Sequence, residues 1–187
     1  MISYWGPIIW HIIHNIAYNC NENDLIINKP KYIIFYKHIA AIIPCVICKS
    51  EYNGMIRLFP PEKYFTSKQN LIAWTVHIHN TVNRKLNKKI YRDISDVKDF
   101  YENTDIIPYI LKLLIIYKEH IISNDMINNY IIYDFLKFLI DVFNREKYKN
   151  ILINYFIYTN KVASNGLLNY NMFKSWLQNL IDIIESN

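Results

Sequence analysis

Cys45 and Cys48 stand three apart behind Pro44, in the segment Pro44-Cys45-Val46-Ile47-Cys48. Two thiols at i and i+3 on a helix share a face, at a separation compatible with a disulfide. A helix N-terminus favours the thiolate, because its dipole and unpaired N–H groups stabilise negative charge. The pair is therefore a redox centre or half of a metal site. Zinc needs four ligands and no second CxxC exists; His77 and His79, two apart, point to different sides of a helix. The metal reading is the weaker one, and no metal-ligand set is assigned. Two buried structural thiols are the plainest alternative.

Two other stretches combine flat and polar side chains. Trp10 and His14 fall on one helical stripe with the small Ala17. Ile72, Val76, His79, Asn83 and Leu86 form a second stripe, placing an imidazole and an amide on an otherwise apolar face. A buried polar group without a partner costs about 1–3 kcal/mol, so a satisfied His–Asn pair in the core accounts for the second stripe taken alone. Two such helices together suggest a slot for a planar, hydrogen-bonding ligand.

The elements that must position these groups read as helices throughout. The expected helices run over about 6–20, with Pro7 in the first turn, then from Pro30 to Ile43, from Pro44 to Leu58, and over 67–86. Asn21 to Asn28 reads as a loop. Pro44 ends the second helix, and Pro60-Pro61 breaks the third. Thr66 with Gln69 has capping-box spacing, and Asn87 is the expected stop of the fourth. The pattern weakens near 92–105, where the domain boundary is placed: 1–92 as one domain, 93–187 as a second, mostly helical one of unknown role. Further helices are expected near 106–122, 125–144, 146–160 and 170–185. Tyr130–Phe143 could be a strand by propensity, but its length favours helix. The fold class is all-α: a four-helix bundle with a short fifth helix, followed by the second helical domain.

Composition narrows the function. The chain has 187 residues, 52% hydrophobic and 20% charged, enough to bury a core. Only three glycines occur, Gly6, Gly54 and Gly166, so neither a GxGxxG turn nor a P-loop can be built. No apolar run suits a membrane span, and the first residues lack a signal-peptide pattern. Three cysteines are too few for a disulfide scaffold; Cys20 is left over, read as a free thiol or a bridge between chains. Residues 1–92 carry 12 Lys+Arg against 4 Asp+Glu, and residues 93–187 carry 9 against 12, which together give the net +5. The positive half could hold phosphates. Its charges are scattered and no nucleic-acid reading motif is present, so nucleic acid is not an expected partner.

The order Trp5-Gly6…Trp10…His14, then Pro44-Cys45-x-x-Cys48, then His79-Asn80-x-Val82-Asn83 followed by Lys88 resembles the Erv/ALR family of FAD-linked sulfhydryl oxidases, over roughly residues 3–92. The resemblance implies FAD held in a helical bundle. Gly6, Trp10, His14 and Tyr18 would contact it from the first helix, and His79, Asn80, Asn83 and Lys88 from the fourth and its exit. Trp74 would pack nearby, and Arg84 and Lys85 could join Lys88 at the pyrophosphate. Cys45 would meet incoming thiols of protein or small dithiol substrates, and Cys48 would face the flavin. O2 would take the electrons and give H2O2.

The family's arginine after the glycine is Pro7 here, the acidic residue inside the CxxC is replaced by Val46-Ile47, and the glycine before the lysine is Asn87. No second shuttle cysteine pair exists. The resemblance also implies a homodimer. Isoleucine, asparagine, lysine and tyrosine are heavily used, as the drift of an AT-rich genome gives, and with the resemblance this suggests a large DNA virus and work in host cytoplasm. A helical interaction protein, either without the redox step or stabilised by zinc, is the alternative.

Overall fold

The computed structural model describes residues 4–102, 104–121, 129–143, 146–166 and 170–187. Every regular element among them is helical. The central one is α1, Trp5–Asn19. It buries Ile9, Ile12, Ile13 and Ile16 as well as His11, His14 and Asn15. A helix buried nearly all round must sit inside the molecule, and α1 is surrounded by α6 (Lys68–Lys85), α7 (Lys98–Glu102) and α8 (Ile107–Ile116). Its buried amide is satisfied: Asn15 Nδ2 donates to the carbonyls of Tyr101 and Thr104 at 3.0 and 2.7 Å.

Residues 21–28, expected as a loop, contain a short helix, α2, Glu22–Ile27. Asn21 caps it by accepting from the Asp24 N–H at 3.1 Å, and Leu25 is fully buried beneath it. One apolar anchor in six residues is too little periodicity to show in the sequence. Helix α3, Lys29–Ile42, carries Pro30 in its first turn and buries Tyr32, Phe35, Tyr36 and Ile39. The chain then runs extended, and α4 covers Val46–Leu58. The expected start at Pro44 is corrected by two residues: Cys45 is the N-cap, in extended backbone. A short α5, Pro61–Tyr64, leads to α6. Ser67, not Thr66, caps α6, accepting from Asn70 N at 3.1 Å; Thr66 instead accepts from the Asn70 side chain.

The end of α6 follows the expected stop in detail. Asn87 has φ 52°. Lys88 N donates to Asn83 O at 2.9 Å and Asn87 N to Arg84 O at 3.3 Å, the paired bonds of a Schellman motif. Leu86, placed on the buried stripe, is instead about half exposed, because it sits where the helix has already turned away.

Beyond residue 92 a 3₁₀ turn, Ile94–Val97, leads into α7. Helix α8 continues into a π turn, Tyr117–Ile121. Then come α9 (Asn129–Val142), α10 (Glu146–Gly166) and α11 (Tyr170–Glu185). The expected helix ends between 122 and 128 lie outside the described residues. Helix α9 buries Ile132, Phe135, Leu136, Leu139 and Val142 at spacings of three and four, which is why its β-prone residues form a helix. It lies along α3, with Phe35 against Phe135 and Lys31 paired with Asp141. The helices on both sides of residue 92 thus share one apolar core.

Candidate functional site

Cys45 and Cys48 form a disulfide at the head of α4, with Cα atoms 5.2 Å apart. The Cys48 backbone N–H points at Cys45 Sγ, 3.2 Å away. This is the capping role usually filled by an oxygen, and it also sets an N–H beside a sulfur that would carry negative charge after reduction. Both cysteines are partly exposed, whereas Val46 and Ile47 between them are 80% and 73% exposed. Cys20 is a free, buried thiol that donates to the Ala17 carbonyl. Burial pushes its pKa up to about 11, so at neutral pH it is not a nucleophile.

The two polar stripes meet. Trp10 of α1 and His79 of α6 stack face to face, ring centres 4.1 Å apart and 3° from parallel. His14 Nε2 lies 2.8 Å from His79 Nδ1, and His14 Nδ1 lies 3.0 Å from Thr75 Oγ1. Tyr101, from α7, stacks on His14 at 4.5 Å. Burial holds both imidazoles neutral: His79 is lowered to about 4 by burial and then by Lys88, and His14 lies well below its ordinary value.

The protons can then be counted. The single Thr75 O–H donates to the Ile72 carbonyl at 2.8 Å, so Thr75 Oγ1 must accept from His14 Nδ1–H. His14 Nε2 is left as an acceptor and takes the proton of His79 Nδ1–H. His79 Nε2 is then an unprotonated acceptor.

The other expected site residues divide. Asn80 exchanges two hydrogen bonds with the backbone of Tyr91, at 2.8 and 2.9 Å. Asn83 Nδ2 donates to Lys89 O at 2.9 Å. Both amides therefore fold the exit segment back along α6. Tyr91 comes edge-on to His79 as a result. Tyr18 donates to Ile94 O, and burial raises its pKa to about 12. Trp74 is not with Trp10 and His79: it lies among Tyr36 and Phe65 and donates to Phe59 O at 2.8 Å. Lys85 pairs with Glu51 of α4 at 3.0 Å, tying the end of α6 to the CxxC helix. Arg84 and Lys88 are exposed at that end. Gly6 opens α1, and a Cβ built there meets no atom within 4 Å.

Sequence reasoning missed Thr75, Tyr91, Tyr101 and His11. His11 is buried one turn before His14 on α1, stacked 3.4 Å from Tyr109 and edge-on to Tyr101, and its Nε2 has no hydrogen-bond partner among the described residues.

These residues fit a flavin dinucleotide. The seam offers a half-buried indole for stacking, a fixed imidazole acceptor, cations at a helix exit, and a glycine whose space no protein atom fills. Packing gives no reason for that glycine in the first turn of α1.

Comparison with known proteins points the same way. The Erv1/Alr family profile matches residues 7–102, just over half of the chain and as far as the end of α7. A probable FAD-linked sulfhydryl oxidase of Acanthamoeba polyphaga mimivirus is 30% identical over 87 residues, covering 46% of this chain and 61% of that protein. An FAD-linked sulfhydryl oxidase of African swine fever virus is 27% identical over 101 residues, covering 54% of this chain and 82% of that one. One from Arabidopsis thaliana is 26% identical over 86 residues, 46% of this chain and 44% of its own. No solved structure matches significantly.

Proposed function

This chain belongs to the Erv1/Alr family, and on that premise we propose that it is an FAD-dependent thiol oxidase that makes disulfides in substrate proteins through Cys45 and Cys48. The observation that carries the reading is a disulfide at a helix head in a chain that also stacks Trp10 on His79.

A substrate thiolate attacks Cys45 Sγ, forming a mixed disulfide and expelling Cys48 as thiolate. A second substrate thiol attacks the substrate sulfur of that bond. This releases the substrate disulfide and leaves Cys45 reduced beside Cys48. The N-terminus of α4 stabilises the thiolates, and the Cys48 N–H that points at Cys45 Sγ adds to it. Bound FAD would take the two electrons, restoring the Cys45–Cys48 disulfide, and pass them to O2 to give H2O2. Trp10, His14 and His79 would bind its flat portion, and Arg84 and Lys88 its phosphates. Gly6 would leave room, while Asn80, Asn83 and Tyr18 act by holding the segment from Lys89 to Ile94 in place. Lys85 and Trp74 would support α6 from outside the pocket.

The proposal includes a homodimer, as in the family, and a cytoplasmic setting, supported by the mimivirus and African swine fever virus relatives; there a dedicated oxidase is needed against reducing conditions. No helix among the described residues is long and apolar enough to cross a membrane. Oxygen consumption on addition of dithiothreitol, with matching peroxide, tests the activity. A flavin-loaded protein that consumes no oxygen would overturn it in favour of an interaction module.

A further inference from the structure

A groove of about 580 Å³ runs between α3, α4 and α9, on the side of α4 that carries Cys45. Cys45, Lys49 and Asn53 are spaced by four, so they lie on one stripe, and Lys49 N donates to Cys45 O. The groove therefore begins at Lys49, one helical turn, about 5 Å along the axis, from the cysteine proposed to meet substrate. Its walls are apolar: Ile34 and Ala41 from α3, Ile131 and Phe138 from α9. His38 fixes the α9 wall by its hydrogen bond to Ile131 O at 3.1 Å and its edge contact with Phe138.

The charge in the groove has one sign. Lys37 and Lys49 line it and no carboxylate does. Lys37 is paired with Glu62 outside the groove; Lys49 pairs with no carboxylate among the described residues. Above the groove, Val46 and Ile47 stand out into solvent beside the disulfide. Small dithiols need none of this. An apolar trough with an uncompensated cation suits a peptide that carries apolar side chains and a carboxylate.

We propose that this groove binds the polypeptide flanking the substrate cysteine, and that it selects segments combining apolar and acidic residues. The inference rests on the oxidase reading and gives α9, outside the family match, a part in substrate choice. In it Lys49 meets the substrate carboxylate, and Ile131 and Phe138 hold its apolar side chains.

The test uses the full-length protein and two labelled peptides of equal length in which serine replaces cysteine, one with Glu and Leu flanks and one with Lys and Ser flanks. Fluorescence anisotropy should show the acidic peptide binding about tenfold or more tighter, with affinity falling as salt rises. Lys49→Glu should lower that affinity about tenfold, and Phe138→Ser should weaken both the binding and its selectivity. Cysteine-containing versions should repeat the preference in kcat/KM relative to dithiothreitol. Equal binding of the two peptides would overturn the proposal. So would a Lys49→Glu change seen only as altered self-association by sedimentation, which would assign the groove to a second copy. Because anisotropy needs no turnover, absence of dithiothreitol oxidation would sink the oxidase reading while leaving the binding result to be judged separately.

Discussion

His14 Nε2 stands 2.8 Å from His79 Nδ1, and Thr75, one turn before His79 on α6, sets which of the two rings donates. Thr75→Val keeps the volume but leaves His14 Nδ1–H buried without an acceptor, which should cost about 1–3 kcal/mol. Thr75→Ser should stay close to the parent. Urea unfolding measures the difference. Nitrogen-15 chemical shifts should place the proton of His79 on Nδ1 in the parent and lose that preference in the valine variant.

The buried imidazoles also fix the response to acid. Burial lowers His11 and His79 to about 4 in the folded chain and holds His14 well below its ordinary value, against 6.5 for the free side chain. Above about pH 6.5 folded and unfolded chains both hold these rings neutral, so they do not penalise folding. As pH falls from 6.5 toward 4, the unfolded chain takes up protons that the folded one refuses, and stability drops. Each ring contributes a slope of up to about 1.4 kcal/mol per pH unit. His11→Phe should remove one share of that slope. It should also raise stability at neutral pH, because it deletes a nitrogen with no partner among the described residues. Melts at several pH values check both outcomes.

Asn87 holds the left-handed turn that ends α6. Asn87→Gly should preserve or slightly raise stability, whereas Asn87→Val should cost about 1–2 kcal/mol. Because the same turn brings Lys88 and the 89–91 segment back along α6, the valine variant should also lose flavin on dilution. Thermal denaturation and flavin release by filtration measure the two effects.

Gly6→Ala separates fold from ligand. The added methyl meets no protein atom, so the apo-protein should keep its stability or gain up to about 1 kcal/mol. If the space serves FAD, the same variant should retain less of it. An alanine variant that binds FAD as well as the parent would remove Gly6 from the pocket.

The helical stripes carrying Trp10, His14, His79 and Asn83 were legible in the sequence, since each imidazole or amide interrupts an apolar face at helical spacing. The same reading could not find Thr75, which looks like an ordinary helix residue until His14, 61 positions away, is placed beside it. Tyr101 was hidden by the weak pattern of residues 92–105, where a 3₁₀ turn and a five-residue helix give no periodicity. Trp74 followed the family motif in number but not in surroundings: the α6 face that carries it meets Tyr36 and Phe65, while the face carrying His79 meets α1. Lys85 reads as a phosphate ligand by charge alone and is engaged by Glu51.

Anaerobic titration of the purified, flavin-loaded chain with dithiothreitol, followed by the visible absorbance of the flavin, tests the central claim most directly. The parent protein should be yellow and bleach on addition of the dithiol, and Cys48→Ser should keep its colour and bleach far more slowly. A colourless protein that takes up no FAD, or a Cys48→Ser variant that bleaches as fast as the parent, would contradict the account.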